Sequence, residues 1–300
     1  MSAKYFLIAS FLALLPAAPA AAACPAIQAA VDAMNAGKTA EAATAATKTE
    51  GCSTQEQTIA LRVAGIAAFN EIATAVAGGA PLEGFEAKLQ SIQTEFASPW
   101  QVRDALGDIY RGQKNYAAAS DAYQSALEIG SDESVTPDWM APDADYIVRL
   151  DKLASEMRLL SDQPVKLASR GPCKVNFRGV TLKKKSTPVR YVFGKAEFTP
   201  EGEAAAKDLS ECLRSMDAKE IVLIGHTDPV GSDEANMTLS VARADALGQY
   251  LAKAGYAGAW KVVGKGESEP FKPDDASAYT TDQLNQLNRR VEVDVQKAGN

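Results

Sequence analysis

The pattern of hydrophobic and polar positions changes along the chain near residue 163. From Cys24 to Asp162, apolar positions recur at helical spacing in segments rich in Ala, Glu, Gln and Lys. Residues that interrupt helices separate these segments, at Gly37, Gly51, 78–81, Gly130 and Pro137. The amino-terminal half is therefore predicted to be all-α.

Downstream of residue 188, short apolar runs alternate with longer amphipathic segments. The apolar runs predict strands at residues 189–193, 221–224, 260–263 and 289–295. The amphipathic segments predict helices at residues 199–216, 234–254 and 281–287, the first capped by Thr199 and the second near Ser232 or Asp233. The order β-α-β-α-β-(α)-β predicts an α/β domain.

These patterns divide the chain into four predicted segments. They are a signal peptide at 1–23, a helical domain at 24–162, a linker with a lead-in strand at 163–188, and an α/β domain at 189–300. The linker contains Pro164, Gly171-Pro172 and the run Lys183 to Lys185. The lysine run is typical of a solvated segment, and the alternative is attraction to an anionic polymer or lipid surface.

The first 23 residues predict export. A short positive start to Lys4 precedes an apolar run from Tyr5 to Leu15 and a small-residue tail to Ala23, which is the order of a secretory signal peptide. A transmembrane anchor is the alternative, but the apolar run is short for one. Cleavage after Ala20 or Ala23 would leave Cys24 at or near the mature terminus, where lipidation is a second alternative.

Composition excludes several classes of protein. The chain has 31 basic and 38 acidic residues, a net charge of −7, which argues against a general nucleic-acid binder. Residues 24–162 hold 10 basic and 20 acidic residues, and residues 163–300 hold 20 and 18. His226 is the only histidine, so metal sites that need two histidines are excluded. After residue 25 the chain has no apolar run of about 20 residues, so a polytopic membrane protein is excluded.

Four cysteines remain after the predicted signal peptide. An even number in an exported chain predicts disulfides, and the clustering favours Cys24–Cys52 and Cys173–Cys212. Free, buried thiols are the alternative. No Cys-x-x-Cys pair is present, so a zinc site is not predicted. No other metal or cofactor is predicted.

One segment of the helical half resembles a tetratricopeptide repeat. Between Val102 and Ile129, small and aromatic residues fall at the spacing of such a unit, at Leu106, Gly107, Tyr110, Tyr116, Ala119, Tyr123 and Ala126. Residues 37–42 resemble the second half of another unit more loosely. The resemblance implies a short repeat array that binds a protein partner of unknown identity. The alternative is that the aromatic residues only pack the helices.

Several motifs recur in order through the carboxy-terminal half. They are Gly225-His226-Thr227-Asp228, Gly231, Asn236, Leu239-Ser240, Arg243-Ala244, Gly264-Lys265-Gly266-Glu267, Pro270 and Asn288-Arg289-Arg290-Val291-Glu292. Over residues 189–297 they resemble the OmpA-like peptidoglycan-binding domain. The resemblance implies an α/β sandwich that binds the diaminopimelate residue of the stem peptide without cleaving it.

The resemblance also implies the site. Asp228 and Arg243 would bind the free amino-acid end of diaminopimelate, and Thr227, Asn236 and Arg289 would line the same pocket. This ligand presents an ammonium and a carboxylate from one carbon, so a site for it needs an anion close to a cation, and an arginine suits the carboxylate. Asp228 follows a predicted central strand, where α/β folds place ligand groups.

Periodicity predicts which side these residues occupy. On the second helix, Asn236, Ser240 and Arg243 share one side, next to an apolar stripe formed by Met237, Val241, Ala244, Gly248 and Leu251. In the last strand, alternation places Arg289 on the core side and Arg290 on the other side with Glu292 and Asp294. A core-facing arginine needs an anionic partner, which a ligand carboxylate or Asp228 would provide.

Each candidate has a purely structural alternative. Asp228 also suits a turn, Arg243 a surface ion pair, Arg289 a buried salt bridge and Asn236 the first turn of a helix. His226 is expected to be structural rather than catalytic, because no recognisable motif places a serine or cysteine beside it.

One position departs from the family pattern. Phe193-Gly194 stands where the family has Phe-Asp or Phe-Asn, so a polar group that helps to hold the ligand's amide is missing. The sequence predicts a non-catalytic periplasmic protein that tethers a helical domain to the wall, with outer-membrane anchoring if Cys24 is lipidated. The alternatives are a murein-remodelling hydrolase and an assembly scaffold with a vestigial wall domain.

Overall fold

The computed structural model describes residues 24–168, 173, 176–182 and 184–296, and the predicted signal peptide lies outside them. The described chain forms two compact units. One contains residues 24–113 and 125–150, and the other contains residues 114–124 and 151–296.

The amino-terminal region is helical, as predicted. Its helices are α1 Pro25–Asn35, α2 Thr39–Ala46, α3 Thr54–Ala77, α4 Glu86–Glu95, α5 Trp100–Gly112, α6 Tyr116–Gly130 and α7 Ala144–Leu160. Short 3-10 segments occur at Leu82–Phe85 and Asp138–Met140.

Small side chains dominate the packing of α1, α2 and α3. Ala30, Ala42 and Ala60 are fully buried there, with Val31 and Val63 between them. Alanine favours helix and allows close approach of neighbouring helices, so this composition specifies a tightly packed helical core. At Gly65 on α3, a Cβ would lie 2.6 Å from Cγ of Pro99, so only glycine fits.

Helix α3 is long and apolar enough to span a membrane, although no membrane span was predicted after residue 25. It is the one such helix in the described part of the chain, and 67% of its apolar window is buried inside the protein. Its Arg62 is buried and donates to the carbonyl of Val135 (2.9 Å) and to Oγ1 of Thr136 (2.6 Å). These contacts are those of a core helix, whose buried arginine is hydrogen-bonded to internal acceptors.

Both predicted disulfides are confirmed. Cys24 is bonded to Cys52 across a separation of 28 residues, and Cys173 to Cys212 across 39. The first connects the start of α1 to the segment just before α3. Helix α3 itself begins with a capping box formed by Ser53 and Glu56.

Replacing both Cys24 and Cys52 by serine should destabilise the helical unit by about 2–4 kcal/mol, because the unfolded chain regains the entropy of the opened loop. Urea unfolding followed by circular dichroism measures this, with Ser91→Ala on the exposed face of α4 as the control. A loss under about 0.5 kcal/mol would show that this bond contributes nothing to stability.

Helices α5 and α6 lie where the repeat-like spacing predicts a helical pair. Leu106, Ala119, Tyr123 and Ala126 are buried, and Lys114 in the connection has a φ of 61°. Their burial agrees with a packing role. The tetratricopeptide character of the pair stays a prediction.

The carboxy-terminal domain contains a mixed four-stranded sheet. Its strands are β3 Lys184–Thr187, β4 Glu220–Gly225, β5 Ala259–Gly264 and β6 Val291–Val295, in the order β3-β6-β4-β5. Its helices are α8 Pro200–Ser215, α9 Asp233–Lys253 and α10 Thr281–Asn288. Strands β4 and β5 are parallel, and β6 is antiparallel to β3 and β4. A small hairpin of β1 Asn176–Phe177 and β2 Val180–Thr181 precedes β3.

The first predicted strand, 189–193, is wrong. The edge strand is β3, inside the segment assigned to the linker and lead-in strand. Residues 190–199 instead fold back on themselves, since the amide of Val192 bonds the carbonyl of Glu197 (2.8 Å) and that of Thr199 bonds the carbonyl of Arg190 (3.0 Å). With its backbone groups satisfied in this way, the segment forms no ladder with the sheet.

The predicted apolar stripe of α9 is also partly wrong. Ala244 and Leu251 are buried as expected, but Met237 and Val241 are 44% and 42% exposed. The polar side is buried instead, with Asn236, Ser240 and Arg243 each at 5% exposure or less. The cause is close packing of α9 on the sheet, where a Cβ at Gly225 would lie 2.0 Å from the carbonyl oxygen of Ser240.

Candidate functional site

Three chain segments meet beyond the carboxyl end of β4. The amide of His226 donates to the carbonyl of Arg290 (2.9 Å), and the amide of Thr227 donates to the carbonyl of Gly266 (2.8 Å). The amide of Gly266 in turn donates to Oγ of Ser240 on α9 (3.0 Å). These bonds join the motif segments around Thr227, Gly266 and Arg290. Their position relative to each other is therefore fixed mainly by backbone groups.

Asp228 lies in this junction and is 6% exposed. Its Oδ1 accepts from the amide of Val230 (3.1 Å), and its Oδ2 accepts from Nη1 of Arg289 (2.6 Å). The carboxylate is therefore oriented by a local turn and neutralised by one arginine.

Arg289 reaches Asp228 by a different route from the predicted one. It directly follows the last residue of α10 and lies outside β6. The alternation of residues along a strand therefore does not set the direction of its side chain. Its side chain is 39% exposed, whereas Arg290 is buried and pairs with Glu292 (2.8 Å). The expected anionic partner, Asp228, is the one observed.

Arg243 projects from α9 into the same region and is 5% exposed. Its Nε donates to the carbonyl of Lys195 (3.1 Å), and its guanidinium lies over the ring of Tyr191, 5.1 Å from the centroid. Tyr191 in turn donates its hydroxyl proton to the carbonyl of Arg243 (2.7 Å). Among the described residues, Nη1 and Nη2 of Arg243 have no hydrogen-bond partner.

The electrostatics of Arg243 connect it to the other two charges. Burial lowers the pKa of Arg243 below its usual value, Tyr191 and Asp228 oppose this shift, and Arg289 adds to it. The guanidinium is thus desolvated and only partly compensated. A carboxylate delivered to its free nitrogens would relieve that deficit.

Thr227 and Asn236 complete the set of predicted residues. Asn236 is buried and donates from Nδ2 to Oε2 of Glu267 (2.5 Å). Thr227 is buried, and its Oγ1 has no hydrogen-bond partner among the described residues. An unsatisfied buried hydroxyl costs free energy unless another molecule bonds to it.

A cavity of about 340 Å³ lies beside Arg243 and Arg289, whereas the predicted site residues Thr227, Asp228 and Asn236 are not part of its described lining. This volume is near the lower end of the roughly 300–1,000 Å³ range of ligand pockets. Its lining combines apolar and cationic groups, from Leu159, Pro188, Arg190, Tyr191, Phe193, Thr199, Arg243, Gln286 and Arg289.

Only part of this site was predicted from the sequence. Arg190, Tyr191 and Gln286 line the cavity and Lys195 contacts Arg243, but none of them had a predicted site role. Arg190 and Tyr191 fell in a predicted strand, and Lys195 contributes a backbone carbonyl, which any residue would provide.

His226 is buried behind the site at 1% exposure, and its Nε2 lies 3.6 Å from Oε2 of Glu292. That distance is too long for a hydrogen bond. Burial raises the pKa of Glu292, but His226 and Arg290 outweigh burial and lower it to about 2. This arrangement agrees with the expected structural role for His226.

A lowered carboxyl pKa means that the charged form stabilises the fold above the unfolded value of 4.5, and that this contribution disappears as the pH falls through about 2. Glu292→Gln should therefore lower the Tm most above pH 5, and the difference from the unaltered protein should shrink towards pH 2. Thermal scans between pH 2 and 7 measure this, with the exposed Glu211→Gln as control. A difference that does not change with pH would contradict the lowered pKa.

No group of three or more His, Cys, Asp or Glu side chains that would hold a metal ion is found in the described residues. The cavity lining contains the guanidiniums of Arg190, Arg243 and Arg289, and Asp228 lies close to them as the partner of Arg289. Such a set suits an anion or a zwitterion.

The carboxy-terminal domain is similar in sequence to a known family. Residues 190–281 match the sequence model of the OmpA family. The chain is 40% identical over 110 residues to outer membrane protein A of Serratia odorifera, covering 34% of this chain and 45% of that protein. It is 36% identical over 109 residues to outer membrane porin F of Pseudomonas fluorescens, covering 36% of this chain and 32% of that one.

Solved structures also match this part of the chain. The peptidoglycan-associated lipoprotein of Burkholderia pseudomallei is 24% identical with a TM-score of 0.31, covering 37% of this chain and 91% of that one. The chain spans about half or less of the length of the outer membrane protein A and porin F relatives.

Proposed function

We propose that this protein binds peptidoglycan without catalysis, through the diaminopimelate residue of the stem peptide. The observation that carries the proposal is buried Arg243 beside the cavity, whose Nη1 and Nη2 have no hydrogen-bond partner in the described part of the chain, with Asp228 among the nearby charges that act on it. The ligand carboxylate would bind Arg243, and the ligand ammonium would bind Asp228, in part replacing Arg289.

Two further features support this assignment. OmpA-like domains bind peptidoglycan, and the matched segment contains the motif residues that the family resemblance places at the ligand. Thr227 offers a buried hydroxyl that lacks a partner in the described structure, and Asn236 is held in place by Glu267. A polar ligand would satisfy the hydroxyl.

The observed side chains give less support to a murein-remodelling hydrolase. A glycosidase needs two carboxyl groups flanking the scissile bond, and the two carboxylates bonded to arginines of the cavity, Asp228 and Asp162, are both held in ion pairs. His226 is 1% exposed, so it is not presented to a substrate.

We place the protein in the cell envelope, in contact with the wall. Two of its relatives are named as outer membrane proteins. The sulfur of Cys24 is bonded to Cys52, and one sulfur cannot at the same time form a thioether to lipid. Wall binding rather than a lipid on Cys24 would then hold the protein in place.

The helical region would be the tethered module. Its resemblance to a tetratricopeptide pair supports a role in binding a protein partner, which the wall domain would keep at the peptidoglycan. The scaffold alternative, with a vestigial wall domain, predicts partner capture without any sacculus binding.

Co-sedimentation with purified sacculi tests the proposal. The full chain should sediment with sacculi that contain diaminopimelate and remain largely soluble with sacculi whose stem peptides contain lysine, because lysine lacks the zwitterionic side-chain end. No soluble muropeptides should be released. Equal binding to both kinds of sacculi, or release of fragments, would contradict the proposal.

A further inference from the structure

Three guanidinium groups, rather than one, line the cavity, from Arg190, Arg243 and Arg289. Like charges in a partly desolvated cavity repel one another, so anions must compensate them. In the described structure, Asp228 pairs with Arg289 and Asp162 pairs with Arg190 (Nη1–Oδ1 3.1 Å). Arg243 pairs with no carboxylate there.

The two compensating carboxylates differ greatly in burial. The Asp228 side chain is 9% exposed, whereas the Asp162 side chain is 89% exposed. An ion pair with an exposed partner is weak, because water and salt screen it. Asp162 is therefore a partner that a ligand carboxylate would displace from Arg190 at little cost.

The cavity wall beside Asp162 is fixed by contacts that do not involve its side chain. Leu159, in the last turn of α7, lines the cavity, and its carbonyl accepts from Nε2 of Gln286 (2.9 Å). Arg190 also donates from Nη2 to the carbonyl of Ser161. Release of the Asp162 carboxylate would leave this wall and the position of Arg190 unchanged.

We propose that Arg190 forms a second anion subsite in this pocket, where a second ligand carboxylate replaces Asp162. The inference rests on the proposed function, in which Arg243 binds the first carboxylate. The apolar side chains of Leu159, Pro188 and Phe193 suit the aliphatic chain between the two carboxylates. The preferred ligands are thus stem peptides that end at diaminopimelate, where the second carboxylate is free rather than in a peptide bond.

Two small probes separate the subsites. meso-Diaminopimelate carries both carboxylates, and D-lysine is the same molecule without one of them. Titration of the full chain, followed by NMR, should show diaminopimelate binding about tenfold more tightly than D-lysine, as expected for one added charge-assisted contact. Arg190→Gln should reduce this ratio to under twofold.

Asp162→Asn tests the displacement without altering a buried group. It should strengthen diaminopimelate binding about threefold, since an exposed ion pair no longer competes, and it should leave D-lysine binding unchanged. In the Arg190→Gln background it should have no effect. Asp217→Asn is the matched control, because Asp217 is also exposed and paired with a basic residue, Lys219.

The inference is overturned if Arg190→Gln leaves the tenfold ratio intact, or if Asp162→Asn does not change diaminopimelate binding. Loss of D-lysine binding in Arg243→Gln alongside either result would leave the proposed function standing. Unchanged D-lysine binding in Arg243→Gln, or no detectable binding of either probe to the unaltered protein, would overturn both.

Discussion

Replacing Arg243 by glutamine should weaken binding of a diaminopimelate-containing stem peptide about a hundredfold, or about 3 kcal/mol. Two charge-assisted hydrogen bonds to the ligand carboxylate would be lost. Asp228→Asn should give a loss of similar size, because the ligand ammonium would meet a neutral amide. Isothermal titration calorimetry of the full chain measures both.

Arg214→Gln is the matched control for this pair of variants. Arg214 is exposed near the end of α8, in the same domain, so the same chemical change there should leave the affinity within twofold. Unfolding curves would establish that Arg243→Gln remains folded. A folded Arg243 variant with unaltered affinity would show that its free nitrogens do not bind the ligand.

The second large effect concerns stability. Gly225→Ala should destabilise the carboxy-terminal domain by at least about 3 kcal/mol, because the new Cβ would lie 2.0 Å from the carbonyl oxygen of Ser240 and backbone cannot move aside cheaply. The displaced helix would also move Arg243 away from Asp228. Chemical denaturation followed by tryptophan fluorescence measures the loss.

Gly84→Ala provides the control, since a Cβ there meets nothing within 4 Å. It should leave stability unchanged or raise it by a few tenths of a kcal/mol, because alanine restricts the unfolded chain. Equal stability of Gly225→Ala and the unaltered protein would show that α9 and β4 are not packed as closely as described.

Local signals were sufficient to predict the helix starts in the carboxy-terminal domain. Thr199 caps α8 and bonds the amide of Gly202 (3.1 Å), with Pro200 as the first helical residue. Ser232 caps α9 and bonds the amide of Ala235 (3.3 Å). A helix cap is formed by residues three positions apart, so a short stretch of sequence is enough to predict it.

Contacts between distant segments account for the errors. Residues 189–193 are apolar enough for a strand, but the nearby return of the chain at Glu197 takes up the backbone groups that a sheet would need. Similarly, Met237 and Val241 are predicted core positions by their helical spacing, but they are exposed. The close packing of Gly225 against Ser240 places the opposite, polar side of α9 against the sheet.

The site residues were predicted through motif resemblance, and Asp228 was one of two predicted partners of Arg289. The residue types suggested one anion and one cation close together. The structure pairs Asp228 with Arg289 at 2.6 Å, and Nη1 and Nη2 of Arg243, beside the cavity, have no hydrogen-bond partner among the described residues. Which arginine takes the carboxylate depends on where α10 ends, a boundary that sequence patterns locate only approximately.

The most direct measurement is sacculus co-sedimentation of the unaltered protein, Asp228→Ala and Arg243→Ala, side by side at one salt concentration. We expect the unaltered protein in the pellet and both variants in the supernatant, with all three chains folded. Equal retention of all three would contradict a wall-binding site built on Asp228 and Arg243.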